Sequence, residues 1–406
     1  MNGGDRSCVI FILFFAFQST RSLNPVILVP GDGGSQIEAK LDKPSVVHYV
    51  CEKKAEYYSL WLNLEQLVPV LIDCFVDNMR LVYNATSRTT SNSPGVFTRM
   101  PGFGDTYSVE WLDPDTFLHI TRTSYFAPIV TSLVNWGYVR GKSVRGAPYD
   151  FRKAPNEFGD YFVQLKKLIE DTYTLNNNTP IVILAHSMGN PVSLYFLNHQ
   201  PQAWKDKYIN KLITLAGVWG GSVKTLRLLA SGDNLGVPFV KAVNVRKEQR
   251  SMPSTAWLMP TDKFWSGDEP LVIRPERNYT VNDYKQFFQD IGFMDGYEMR
   301  KDTEGLIYTL TPPAVEVHCL HGNGIPTPGA FKYDSGAYKF PDSQPYVIPD
   351  DGDGTVNIRS LLGCLSWVTK QEQKVIHKIF PKAEHMEILN NKDIIAYLKS
   401  VLTLQN

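Results

Sequence analysis

The stretch from Pro180 to His199 constrains this chain more than any other. Residues 180–184 read Pro-Ile-Val-Ile-Leu, a short apolar run of the kind that forms a strand buried on both faces of a parallel sheet. Pro191 to His199 then reads as a helix, with proline tolerated in its first turn. Between them lies Ala185-His186-Ser187-Met188-Gly189. A strand that turns this sharply into a helix strains its central residue, so the positions two before and two after must be small. Ala185 and Gly189 meet that demand, although Ala185 narrows the backbone freedom where glycine is usual. Ser187 would then project above the carboxyl ends of the strands as a nucleophile. The Met188 N–H, at the helix start, would point toward a developing oxyanion.

A serine hydroxyl is a weak nucleophile until a base takes its proton. In a sheet of this type the acid and then the histidine follow the serine along the chain. The histidines after Ser187 are His199, His318, His321, His377 and His385. Asp350-Asp351-Gly352-Asp353-Gly354-Thr355-Val356 offers carboxylates on a glycine-rich turn, and only His377 and His385 follow it. His377 belongs to a strand-like run, 374–379, and reads as a structural residue. His385 stands just before the last helix, on a loop free to reach the serine. The expected set is therefore Ser187 as nucleophile, His385 as general base and Asp353 as the orienting carboxylate, with Asp351 as its alternative. Three aspartates also suggest a Ca²⁺ loop, but the further oxygen ligands and closing glutamate are missing, so no metal or other cofactor is expected.

A second oxyanion donor should come from the loop after an early strand. Residues 25–30, Pro-Val-Ile-Leu-Val-Pro, read as that strand, and Gly31-Asp32-Gly33-Gly34 as the loop, with the Asp32 or Gly33 N–H as donor. The loop does not match the dinucleotide-binding glycine pattern.

Elsewhere the α/β alternation is legible. Helices are expected over 129–136, 159–173 and 393–402, and strands over 211–216, 315–320 and 374–379. Residues 220–312 lose the alternation and read as an inserted cap. Between Cys51 and Cys74 apolar residues crowd a short segment. Trp61, Leu64, Leu67, Val68 and Leu71 there either form a patch that docks on a lipid surface or fill a small satellite core. The expected division is a signal peptide over 1–22, a core over 23–44 and 93–221, an insert over 45–92, a cap over 222–312 and the core again over 313–406.

The leader rests on the apolar run Cys8 to Phe17, preceded by Arg6, which is shorter than the roughly 20 residues of a spanning helix. A buried amino-terminal helix or strand is the alternative. Export would leave Cys51, Cys74, Cys319 and Cys364 in an oxidising compartment, with three pairings open. The sequons at Asn84, Asn177 and Asn278 fit that route. With 41 basic and 41 acidic residues and no long basic run, nucleic acid is not expected as a partner. Losing the leader keeps the chain within one charge of neutral, so attachment to a membrane would rest on local apolar residues.

Several longer motifs resemble the lecithin:cholesterol acyltransferase family. They are Val29-Pro-Gly-Asp-Gly-Gly34, Gly146-Ala-Pro-Tyr-Asp-Phe-Arg152, Ala185-His-Ser-Met-Gly-Asn190, Leu215-Ala-Gly-Val-Trp-Gly-Gly221, Asp351-Gly-Asp-Gly-Thr-Val-Asn357 and Glu384-His-Met-Glu387. Residues 39–44, 201–208 and 287–293 are similar to its lysosomal phospholipase members. The resemblance implies an α/β-hydrolase fold with a membrane-binding insert and a cap, and Ser187, Asp353 and His385 as the triad. It implies Asp32 and Met188 as backbone oxyanion donors. It implies a Cys51–Cys74 disulfide, with Cys319–Cys364 less secure. The implied reaction moves a fatty acyl group from a glycerophospholipid in a membrane to water or to a lipophilic alcohol such as ceramide, in the lysosome or after secretion. Sterol as acceptor is the alternative chemistry. A catalytically silent lipid-binding protein is the alternative from another class, and the intact triad residues speak against it. Val218 departs from the family pattern, which more commonly has proline there.

Overall fold

A computed structural model describes residues 23–114, 123–234, 236–237, 240–334 and 340–403. The signal-peptide reading, and Cys8 with it, lies outside the described residues. Six parallel strands form the central sheet: β1 (Val26–Val29), β2 (Val144–Gly146), β3 (Ile181–His186), β4 (Ile209–Leu215), β5 (Glu316–Asn323) and β6 (Val375–Pro381). Their order across the sheet is β6-β5-β4-β3-β1-β2. β1 thus lies between β3 and β2, and the chain changes direction of travel there, which opens a crevice above the strand ends.

The apolar runs are continuous because both faces of the sheet are covered. Ile27, Val29, Ile181, Ile183 and Leu212 pack into one apolar cluster, and Val26, Leu28, Val182, Leu184, Ile213 and Leu215 into another. Successive side chains of a strand point to opposite faces, so each strand feeds both layers. Burying each such side chain stabilises by about 1.5–3 kcal/mol. The expected helices form as Ala127–Asn135, Tyr161–Leu175, Gly189–Asn198 and Lys392–Thr403. Their amphipathic faces cover the sheet. The strand order and the covered faces make this an α/β-hydrolase fold.

Smaller sheets surround it. One joins Lys54–Trp61, Ile37–Asp42 and Val96–Arg99, so strands from either side of the 45–92 segment complete a sheet with it. Another has the order Asn278–Tyr279, Val272–Ile273, Ile325–Lys332, Tyr346–Gly352. Two strands from residues 313–406 therefore pair with two from residues 222–312. The helix Ile72–Met79 packs on the helix Ala242–Arg250.

Candidate active site

Ser187 follows β3 with φ of +51°, a left-handed conformation that a non-glycine residue adopts only under constraint. Its N–H donates to the Leu215 carbonyl at 2.9 Å, which fixes the turn to β4. Gly189 cannot be larger: a Cβ there would lie 2.4 Å from the carbonyl oxygens of Val29 and Pro30. Ala185, by contrast, is fully buried with its methyl accommodated. The small-residue rule thus binds on the helix side and relaxes on the strand side.

The structure brings Ser187, His385 and Asp353 together. His385 Nε2 stands 2.9 Å from Ser187 Oγ, and His385 Nδ1 stands 2.8 Å from Asp353 Oδ2. The other oxygen of Asp353 accepts the Val356 N–H at 2.8 Å and the Thr355 N–H at 3.1 Å. Burial alone would raise the Asp353 pKa. The adjoining His385 and these hydrogen bonds outweigh it and hold the carboxyl below its ordinary range. Asp353 is therefore an anion fixed on Nδ1–H, which leaves Nε2 as the proton acceptor facing the serine. Asp351 takes a different part, its carboxylate accepting the Gly324 and Gly352 N–H groups. His377 stays in β6, where its Nε2 meets His321 Nε2 at 2.8 Å.

Across from the serine, the 31–34 loop is drawn close. A Cβ on Gly31 would lie 2.7 Å from Ser187 Cβ, so only glycine lets the loop approach. Among the described residues, neither the Asp32 nor the Met188 N–H has an acceptor. The Asp32 carboxyl is accessible on the loop, yet protein encloses it at longer range. That desolvation pushes its pKa up to about 6, against the pull of Lys224 and the Gly33 N–H. A second acid, Glu248 on the cap helix, is pushed up to about 8 by burial and then by the negative charge of Asp32.

Residues 57–392 match the family model for lecithin:cholesterol acyltransferase. The chain belongs to the lecithin:cholesterol acyltransferase family. It is 55% identical over 379 residues to the human lysosomal phospholipase A and acyltransferase, spanning 93% of this chain and 90% of that protein. It is 45% identical over 387 residues to the chicken phosphatidylcholine-sterol acyltransferase, spanning 95% and 89%. The crystal structure of the Tle4–Tli4 complex superposes with a TM-score of 0.50 at 12% identity, covering 93% of this chain and 98% of that one, a likeness of fold alone.

In this member of the family the remaining predicted residues fall into distinct settings. Of the five apolar residues assigned to docking, Val68 is exposed, Leu67 is buried in the main apolar cluster, and Trp61, Leu64 and Leu71 are half-buried. Trp61 faces inward: its Nε1–H donates to the Gly33 carbonyl at 2.8 Å and its ring packs on Phe75 and Phe151. Of the two alternatives for Trp61, these contacts fit the satellite core and not the lipid-docking patch. An indole satisfies its one donor when a carbonyl is near, and the oxyanion loop supplies that carbonyl. The exposed apolar residues of the turn are Val68 and Val70. Both disulfides are formed, Cys51–Cys74 and Cys319–Cys364. Asn84, Asn177 and Asn278 are all exposed.

Sequence reasoning missed Tyr125, Glu248 and Lys224. Each comes to the site from a segment without a recognisable pattern, and only tertiary packing brings it there. Tyr125 hydrogen-bonds Gly31 across 94 positions of sequence.

Proposed function

We propose that this chain is a serine phospholipase A and acyltransferase that cleaves a fatty acyl ester of a glycerophospholipid. One observation supports this above all: Ser187, His385 and Asp353 are joined by hydrogen bonds, and the adjoining Asp32 and Met188 N–H groups have no acceptor among the described residues. His385 Nε2 takes the Ser187 proton as Oγ attacks the ester carbon. The carbonyl oxygen becomes an oxyanion held by the Asp32 and Met188 N–H groups. Collapse breaks the ester C–O bond, and the lysophospholipid oxygen leaves with the proton from His385. The acyl-Ser187 then meets water or an alcohol, whose proton passes to His385 as its oxygen attacks. The acyl group leaves on that oxygen and Ser187 recovers its proton. Each oxyanion donor is worth roughly 10²–10³-fold in rate.

The family relatives act by name as phospholipase A and acyltransferase or as phosphatidylcholine-sterol acyltransferase. The higher identity to the former supports the lysosome as the compartment and acyl transfer beside hydrolysis, and the reading takes a lipophilic alcohol such as ceramide as acceptor. In this reading 45–92 is the membrane-docking insert, 222–312 is the cap, and Asn84, Asn177 and Asn278 carry glycans. The test supplies phosphatidylcholine liposomes containing ceramide or cholesterol, at acidic and neutral pH, and identifies the products. Fatty acid and acylated ceramide at acidic pH support the reading. Cholesteryl ester as the main product replaces the acceptor. Ser187→Ala should abolish both hydrolysis and transfer, by about 10⁶-fold, while liposome binding persists. Acyl transfer surviving in a folded Ser187→Ala protein would sink it.

A further inference from the structure

The residue before the nucleophile is a histidine that the acyl transfer above does not use. His186 is buried, and its ring joins two loops. The Gly31 N–H donates to Tyr125 Oη at 2.8 Å, Tyr125 Oη meets His186 Nδ1, and His186 Nε2 meets the main-chain oxygen of His385 at 2.9 Å. Elementary chemistry fixes the direction of every bond. A carbonyl oxygen only accepts, so His186 Nε2 carries the proton. The neutral ring then presents a bare Nδ1, to which the Tyr125 hydroxyl donates, while the phenol oxygen accepts from Gly31. Burial, with His385 alongside, pulls the His186 pKa down to about 3, so the ring stays neutral at working pH.

The consequence for the oxyanion loop follows from peptide geometry. The Gly31 carbonyl accepts the Gly34 N–H at 3.0 Å. The peptide group joining Gly31 to Asp32 is planar and trans, so a carbonyl turned toward Gly34 sends the Asp32 N–H the opposite way. With its own N–H anchored on Tyr125, Gly31 has both flanking peptide planes fixed. The fit leaves no slack, since a Cβ on Gly34 would lie 2.6 Å from Tyr125 Cζ. On the other side His385 is held at both main-chain ends, its N–H donating to the Asp353 carbonyl at 2.9 Å and its carbonyl accepting from His186.

We propose that Tyr125 and His186 are positioning residues whose hydrogen-bonded bridge sets the Asp32 N–H and His385 at their working separation about Ser187 Oγ. Neither touches substrate. The inference deepens the acyl-transfer reading and rests on it.

Tyr125→Phe keeps the ring contacts with Phe126 and His186 and removes only the hydroxyl. His186→Leu removes both ring nitrogens, and His186→Gln restores a donor and an acceptor. Turnover of a soluble short-chain ester is measured per active site, with sites counted by stoichiometric phosphonate labelling of Ser187. Tyr125→Phe and His186→Leu should each lower kcat per site by about 10–100-fold, the scale of small misplacements in a catalytic constellation. KM and the shape of the pH profile should be unchanged, because the bridge does not titrate over that range. His186→Gln should recover most of the loss. Per-site kcat equal to the parent in both disabling variants overturns the inference, as does a loss that only tracks the number of labelled sites. Failure of the unmodified protein to label at Ser187 strikes the acyl-transfer reading instead.

Discussion

Ser187, Asp353 and His385 are buried side chains on turns that follow strands, whereas the 51–74 segment is a half-exposed excursion tied by one disulfide. In the first region backbone geometry dictates residue type. Ser187 needs small neighbours because its φ is positive, and Gly31 must be glycine because the serine lies against it. In the second region no backbone position demands a particular side chain. Leu67 is buried and Val68 beside it is exposed, although both are apolar. The site is a set of constraints written into residue identity, while the insert is a choice of which apolar residues face inward.

The largest effect that would break this contrast lies at the site. Asp353→Asn keeps the shape of the side chain but accepts from His385 without the charge, and it can hold the imidazole in the wrong tautomer. A kcat loss of about 10⁴-fold is expected on soluble ester and on liposomes alike. A loss below tenfold in both would mean that the carboxylate bonded to His385 is not the one that orients it. Asp351 would then need testing, although it is bonded to Gly324 and Gly352.

The same contrast explains what was legible. Of the six described central strands, β2, only three residues long, did not follow from chain order and local pattern; the other five, the elbow, and the choice of His385 over His377 did. Each depends on contacts that leave a mark in sequence: continuous apolar runs, a small residue at a strained turn, a histidine on a loop before the last helix. The Tyr125–His186 bridge left no mark, because a phenol reaching Gly31 from 94 positions away is a product of packing. The setting of Trp61 stays open in the sequence for a related reason. An indole amid leucines has the same sequence signature whether it meets lipid or the Gly33 carbonyl. That strands 325–332 and 346–352 share a sheet with 272–273 and 278–279 was not legible either, because each has an ordinary strand pattern and only pairing shows which sheet it joins.

Removing the tie of the insert should reverse the pattern of effects. Cys51→Ser with Cys74→Ser opens a cross-link of sequence separation 23, and the chain-entropy argument assigns it about 3 kcal/mol. Thermal unfolding should shift down by several degrees, with turnover of soluble ester at low temperature nearly intact. A large loss of turnover in protein that still unfolds cooperatively would show that the insert shapes the site through Trp61 and Gly33.

A smaller effect tests the charge beside the oxyanion loop. Desolvation raises Asp32 to about 6, so it is neutral below that pH and ionised above it. An anion there repels the developing oxyanion, so kcat should fall as pH rises through about 6. The fall should be at least tenfold, because a like charge within about 12 Å costs about 1.4 kcal/mol or more at an effective dielectric constant of about 20. Asp32→Asn removes the titration while leaving the backbone N–H, and should flatten that limb of the profile. An unchanged pH profile in Asp32→Asn would locate the titration elsewhere, with Glu248 the next buried acid to examine.

The smallest effect decides what the insert is for. Val70 is 64% exposed and makes no part of the site, so a membrane would cover surface that water now covers. Val70→Ser should weaken liposome binding about fivefold, the equivalent of roughly 1 kcal/mol of apolar burial. Turnover of a soluble ester should stay level. Trp61→Ser should do the opposite, because it releases the Gly33 carbonyl and with it the loop that carries the Asp32 N–H. Soluble ester turnover should drop in that variant even where no membrane is present. If both substitutions weakened binding and spared soluble turnover, Trp61 would belong with Val70 on the lipid side. If both slowed soluble turnover equally, the exposed turn would be part of the site's support, and the insert would not separate docking from chemistry.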